Sequence, residues 1–350
     1  MQPIFSQALL LTLALTLALF GLLLWVQRRR RGKMAQAKPS MTVGKRLSRA
    51  AAYAARLAGF ALLTILAVSG GVITYLSYRS VVEDTAPAPS QVEVPPGLPF
   101  EVTQVSFPGG DGLSLAGWFV APRNGSVIIL LHGYGSNRTT MLWHARVLAA
   151  AGYGLLMYDE RASGESEGNH RSYGWEDPVD VGAALIYLNG IPGVEADRIG
   201  IAGCSIGGQI ALQGAAYHPQ IGAVWADGPA TVTARDIPPP LNWATALAVP
   251  SNWMMDWMMS ARIKRPIPPA MIDIIGSIEP RPVMMVAGNT PHPHYGPESL
   301  HVEYMAGFAG EHAQLWIIPE ARHCDGPVQR PEEYAERLAA FFGDAFGLGR

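Results

Sequence analysis

The chain has 350 residues, a formal net charge of −2, 49% hydrophobic residues and only 15% charged ones. A balance this close to neutral offers nothing to a polyanion, so a nucleic-acid partner is excluded, and the apolar excess points toward a membrane. Cys204 and Cys324 are the only cysteines, too few to argue a disulfide framework, and they read as small, partly buried side chains.

Residues 4–26 are uncharged and dominated by leucine. At about 1.5 Å per residue such a helix covers roughly 35 Å, enough for a hydrocarbon core of about 30 Å. Residues 57–78 form a second uncharged run, richer in Gly and Ser. Between them, residues 27–56 carry Arg28, Arg29, Arg30, Arg31, Lys33, Lys38, Lys45, Arg46, Arg49 and Arg56 with no acidic residue. Short basic loops stay in the cytoplasm, so a two-helix hairpin over residues 1–80 is expected, with everything after it extracytoplasmic. The first run does not read as a signal peptide. It lacks a basic lead, and a basic block stands where a cleavage site would be. Residues 81–99 hold Pro87, Pro89, Pro95, Pro96 and Pro99 and read as an extended linker.

The remaining stretch, 100–350, suits one α/β domain. Residues 101–107 and 113–120 alternate in polarity across a Gly-rich turn and read as an antiparallel hairpin. Residues 127–131, 154–158, 198–202, 222–226, 282–287 and 314–318 are short apolar runs, the mark of strands covered on both faces. Helical patterns at 141–148, 177–188, 206–217 and 331–342 alternate with them. The expectation is a mostly parallel central sheet with helices on both faces. Residues 229–279 form a cap insertion containing Trp243, Trp253, Met254, Met255, Trp257, Met258 and Met259, an apolar, adaptable set.

Gly203-Cys204-Ser205-Ile206-Gly207 sits between an apolar strand and a helical run. A serine on so sharp a turn projects its hydroxyl from the sheet edge, and the residues two before and two after must be tiny. Two other blocks follow earlier strands: His132-Gly133-Tyr134-Gly135 and Asp159-Glu160-Arg161-Ala162-Ser163-Gly164-Glu165-Ser166-Glu167-Gly168. A further block, Pro319-Glu320-Ala321-Arg322-His323, follows the last strand. With these in this order, residues 100–346 resemble the serine α/β-hydrolase superfamily, esterases and lipases among others. The resemblance implies an α/β-hydrolase fold, here following the two transmembrane helices expected from the apolar runs, with Ser205 as nucleophile and His323 as its base. The backbone N–H groups of Tyr134 and Ile206 would form the oxyanion hole. His132 and Asp159 are implied to be structural.

The acid departs from the family pattern. The family places Asp shortly after the strand at 282–287, but Gly288-Asn289-Thr290-Pro291 carries no carboxylate. Glu298 is the first choice, with Asp227 and Glu303 as alternatives, since a glutamate can orient an imidazole as well as an aspartate can. His292, His294 and His301 lack a completing Cys or Asp, so no metal is expected, and no other cofactor. The resulting expectation is a membrane-anchored serine hydrolase acting on an ester-like bond of a small molecule or lipid. A catalytically silent binding protein of the same fold and a peptidase are the alternatives, and the oligomeric state is left open.

Overall fold

The computed structural model describes residues 43–291 and 297–348, together with residues 18 and 21. It divides into two compact units, Met1–Ser80 and Val81–Arg350. Apart from residues 18 and 21, the apolar segment expected at 4–26 lies outside the described residues. A single helix, Val43–Asp84, covers the second expected span and starts inside the segment read as a loop. The Ala- and Arg-rich stretch before residue 57 explains the early start, because both residues are strong helix formers. Among the described residues this is the one helix long and apolar enough to cross a membrane; Phe60, Leu62, Leu63 and Leu66 stand exposed along it.

The linker expected over 81–99 is only partly a linker. Residues 81–84 complete the helix, and Val81 packs with Met259 and Ile263. Thr85 and Val92 are buried as well. A two-residue strand, β1 (Ala88–Pro89), pairs in parallel with β6 (Ser163–Gly164). The prolines stiffen this stretch, but Val81 and Val92 supply apolar surface that drives it onto the domain.

The large unit is built on an eight-stranded sheet of β2 (Thr103–Pro108), β3 (Ser114–Val120), β4 (Val127–Leu131), β5 (Gly154–Tyr158), β7 (Ile199–Cys204), β8 (Ile221–Asp227), β9 (Val283–Gly288) and β10 (Ala313–Ile318). Its spatial order is β10-β9-β8-β7-β4-β5-β3-β2. Its antiparallel pairs are β2–β3 and β3–β5, and the remaining neighbours run parallel. The central strands are apolar throughout because both faces are covered, and alternation divides each between two cores. Val127, Ile129 and Leu131 of β4 face one core, beneath the helices Asp177–Asn189 and Ile206–Tyr217. Ile128 and Leu130 face the other, beneath Leu142–Ala150 and Pro331–Ala345. The insertion expected at 229–279 folds as short helical pieces around one longer helix, Val249–Ile263.

The second core contains a polar relay. Trp225 Nε1 donates to Tyr334 Oη at 2.8 Å, and Tyr334 Oη–H donates to Asp227 Oδ2 at 2.8 Å. All three residues are buried. Replacing Tyr334 by Phe removes the acceptor of one and the donor to the other at once. The expected cost is about 1–3 kcal/mol, read from urea unfolding in detergent micelles beside wild type.

Candidate active site

The turn after β7 carries Ser205 at φ 59° and ψ −119°, a backbone conformation that costs a non-glycine residue about 1–3 kcal/mol. Its surroundings enforce it. Ser205 N–H donates to the Asp227 carbonyl at 2.8 Å, and the Ser205 carbonyl accepts from Gln209 at 3.0 Å and Ala230 at 3.2 Å. A Cβ on Gly203 would land on the Gly207 backbone, and one on Gly207 would meet the carbonyls of Leu131 and His132. The spacing of small residues in the sequence is therefore a matter of backbone contact.

Ser205 Oγ lies 2.8 Å from His323 Nε2. The other ring nitrogen, Nδ1, is hydrogen-bonded to Glu298 Oε2. Glu298 Oε1 accepts the Gly288 N–H at 2.8 Å, so the carboxylate is tied to the end of β9 although it lies ten positions later in sequence. The Glu298–His323 hydrogen bond, chiefly, with the charges of Glu298 and then Asp227, holds the His323 pKa above the usual histidine value against the opposing effect of partial desolvation. The pair rests on Gly228 (φ 53°), where a Cβ would come within 2.8 Å of Glu298 Oε2 and 2.9 Å of His323 Nδ1.

The two other carboxylate candidates stand elsewhere. Asp227 accepts from Tyr334 and makes no hydrogen bond to His323; burial raises its pKa to about 7. Glu303 is exposed on the helix Ser299–Ala306. His132 is fully buried, with Nδ1 bonded to the Gly133 carbonyl and Nε2 accepting the Glu160 N–H at 3.0 Å. Burial lowers its pKa, so the ring is neutral and braces the loop. Asp159 accepts from the Arg138 and Glu165 amides, each at 2.8 Å, and pairs with the Arg138 guanidinium.

The loop after β4 reaches the serine: a Cβ on Gly133 would sit 3.6 Å from Ser205 Cβ. Tyr134 follows directly. Its ring lies under the Arg171 guanidinium, 4.1 Å from the centroid, and its hydroxyl donates to Asp84 Oδ1 at 3.2 Å. Ile206 opens the helix Ile206–Tyr217, and a first-turn N–H has no acceptor within its own helix. A cavity of about 140 Å³ is walled by Val81, Tyr173, Val232, Met255 and Met259. Thr231 and Val232 of its lining directly follow in sequence Ala230, whose amide donates to the Ser205 carbonyl. Among the described residues no group of three or more His, Cys, Asp or Glu side chains could hold a metal; His292 and His294 lie outside them.

Sequence reasoning missed a disulfide. Cys204 and Cys324 are bonded, with Cα atoms 6.1 Å apart and a sequence separation of 120. They are not merely small buried side chains. The available signal was adjacency: once Ser205 and His323 touch, the residues before one and after the other come within bridging range.

Asp227 gives the site a stability signature. Its folded pKa of about 7 exceeds the ordinary value near 4, so between those pH values the folded chain keeps a proton that the unfolded chain has released. Stability therefore falls as pH rises through that window. Asp227→Asn is expected to flatten this slope, measured as melting temperature against pH.

Three comparisons bear on the fold. A family model described as serine aminopeptidase, S33, matches residues 122–271, which include Ser205 but neither Glu298 nor His323. A thiohydrolase of Aspergillus aculeatus is 30% identical over 125 residues, 34% of this chain and 39% of that protein. The chain thus spans well under half the length of that relative. An uncharacterized protein of Salmonella typhimurium is 26% identical over 71% of this chain and 80% of its own length. Among solved structures, an esterase of Pyrococcus furiosus superposes with a TM-score of 0.59 at 24% identity, covering 73% of this chain and 97% of the esterase. The strand order, the turn after β7 and this superposition identify the large unit as an α/β-hydrolase fold.

Proposed function

We propose that the protein is a membrane-anchored serine hydrolase that cleaves an ester-like bond, carboxylic or lipid acyl, through an acyl-enzyme. The observation that carries this reading is the unbroken hydrogen-bonded series Ser205 Oγ–His323–Glu298 on a strained strand-to-helix turn. The printed names of two similar proteins, a thiohydrolase and an esterase, support the same chemistry, acyl transfer to water.

In this reading Ser205 Oγ attacks the acyl carbon while its proton passes to His323 Nε2. The Glu298 carboxylate accepts from Nδ1–H and stabilises the imidazolium. The N–H groups of Ile206 and Tyr134 receive the developing oxyanion, and the dipole of the helix that follows adds to them. His323 then returns the proton to the leaving group. Water repeats the sequence on the acyl-enzyme and frees the acid. The apolar wall of Met255, Met259, Val232 and Val81 suits the acyl side of such a substrate. A peptidase is the second reading, favoured by the S33 match over residues 122–271; an amino-acid p-nitroanilide cleaved faster than short p-nitrophenyl esters would establish it. We place the large unit outside the cytoplasm, supported by the basic segment 27–56 and by a disulfide, which persists in oxidising compartments. Protease added to intact cells should then degrade it, and protection would reverse the topology.

Fluorophosphonate labelling of wild type beside Ser205→Ala tests the chemistry: the label should vanish in the variant, and hydrolysis should fall by about 10⁴ or more. Only neutral His323 can take the proton, so activity should rise with pH through its raised pKa. Glu298→Gln removes the charge that raises it, so the acidic limb should move to lower pH while kcat drops roughly 10²–10⁴-fold. Asp227→Asn should move that limb in the same direction but by less, since the Asp227 charge is the smallest contribution to the raised His323 pKa.

A further inference from the structure

We infer that the Cys204–Cys324 disulfide positions the His323 imidazole for Ser205 and makes hydrolysis depend on the oxidised state of this pair; the inference rests on the serine-hydrolase reading. The bridge joins the residue directly before the nucleophile to the residue directly after the base. Cys204 ends a central strand of the sheet and is rigid with it. Cys324 belongs to the exposed loop after β10, and the His323 side chain is 56% exposed, so packing alone does not hold the ring. Cys324 also adopts φ 53°, a left-handed conformation that a non-glycine residue leaves unless its surroundings hold it. Two tethers therefore hold His323 over Ser205: the Glu298 carboxylate on Nδ1 and the covalent bridge at the next residue.

Reduction acts on the second tether. A dithiol supplies two electrons and two protons; the S–S bond opens to two thiols, and the reductant closes to its own cyclic disulfide. Two effects on His323 follow. The loop loses its covalent link to the sheet, and Cys324 is free to relax from φ 53°. Cys324 Sγ stands 3.5 Å from the Asp227 carbonyl and 3.9 Å from His323 Nε2, so the new S–H has both within reach and can compete for the nitrogen that takes the Ser205 proton. Both effects reduce the fraction of molecules with Nε2 facing Oγ. Neither touches the cavity walled by Met255, Met259 and Val232, so turnover is affected and substrate affinity is spared.

The test uses full-length protein purified in detergent without reductant and assayed on p-nitrophenyl butyrate. Treatment with dithiothreitol, followed by alkylation to count thiols, is expected to expose two thiols and lower kcat about tenfold, with KM within about twofold, since small misplacements of a catalytic group cost this much. The far-UV circular dichroism should be unchanged, and oxidised glutathione should restore the rate. The Cys204→Ser/Cys324→Ser double variant should show the same low kcat and respond to neither reagent. A reduced protein with two free thiols and full kcat overturns the inference, as does a double variant as fast as wild type. Loss of activity only together with loss of circular dichroism assigns the bridge to fold stability alone and overturns it too. Fluorophosphonate label persisting in Ser205→Ala defeats the hydrolase reading instead, whatever the redox response.

Discussion

Everything at this sheet edge depends on one backbone constraint, the turn that holds Ser205 in a conformation its side chain disfavours. The strain persists because the two ends of the turn are in backbone contact, Gly203 against Gly207, and because Asp227 and Ala230 hydrogen-bond the serine on both sides. The neighbouring strand is part of the same device. Asp227 ends β8, its carbonyl accepts the Ser205 amide, and its carboxylate is carried inward to Tyr334. Gly228 then leaves just enough room for Glu298 and His323. Small residues and main-chain bonds place the reactive groups here, and the large aromatic side chains stay beneath them.

The parts of this architecture that obey a period were legible in the residues. β4 and β7 are short apolar runs because both faces are covered, and the parallel order follows from helices alternating with them. Ser205 and His323 stand at ends of such runs, so their meeting required only the fold. Glu298 was harder. It reaches His323 from the N-cap position of a short helix, and the bond that returns it to β9 runs to a main-chain N–H, which leaves no trace in side-chain chemistry. Gly228 was invisible for the same reason: its lack of a side chain is the function. Residues 81–99 were misjudged because proline content describes local stiffness and says nothing of what Val81 and Val92 find to pack against.

The electrostatics divide two acidic residues that composition alone would treat alike. Asp227 and Glu298 both lie close to His323 in the fold, but Asp227 is sealed in an aromatic core with a phenol for a partner, and its ionised form is disfavoured. Glu298 is instead bonded to one main-chain N–H and one imidazole. Burial thus ties one carboxyl to the aromatic core and leaves the other bonded to the imidazole.

The last turn of the long helix is folded into the large unit. Arg171 donates to the carbonyls of Glu83 and Ala86, its own amide donates to Thr85, and its guanidinium covers the Tyr134 ring. The helix end is therefore capped by the residue that also covers the loop beside Ser205. A chain break in this stretch is consequently not neutral for the domain. A cut between Glu83 and Ala86 would part Arg171 from the Glu83 carbonyl and Val81 from the cavity wall, leaving the guanidinium, of the two carbonyls, only that of Ala86. A cut before Val81 would keep all of these contacts on one piece.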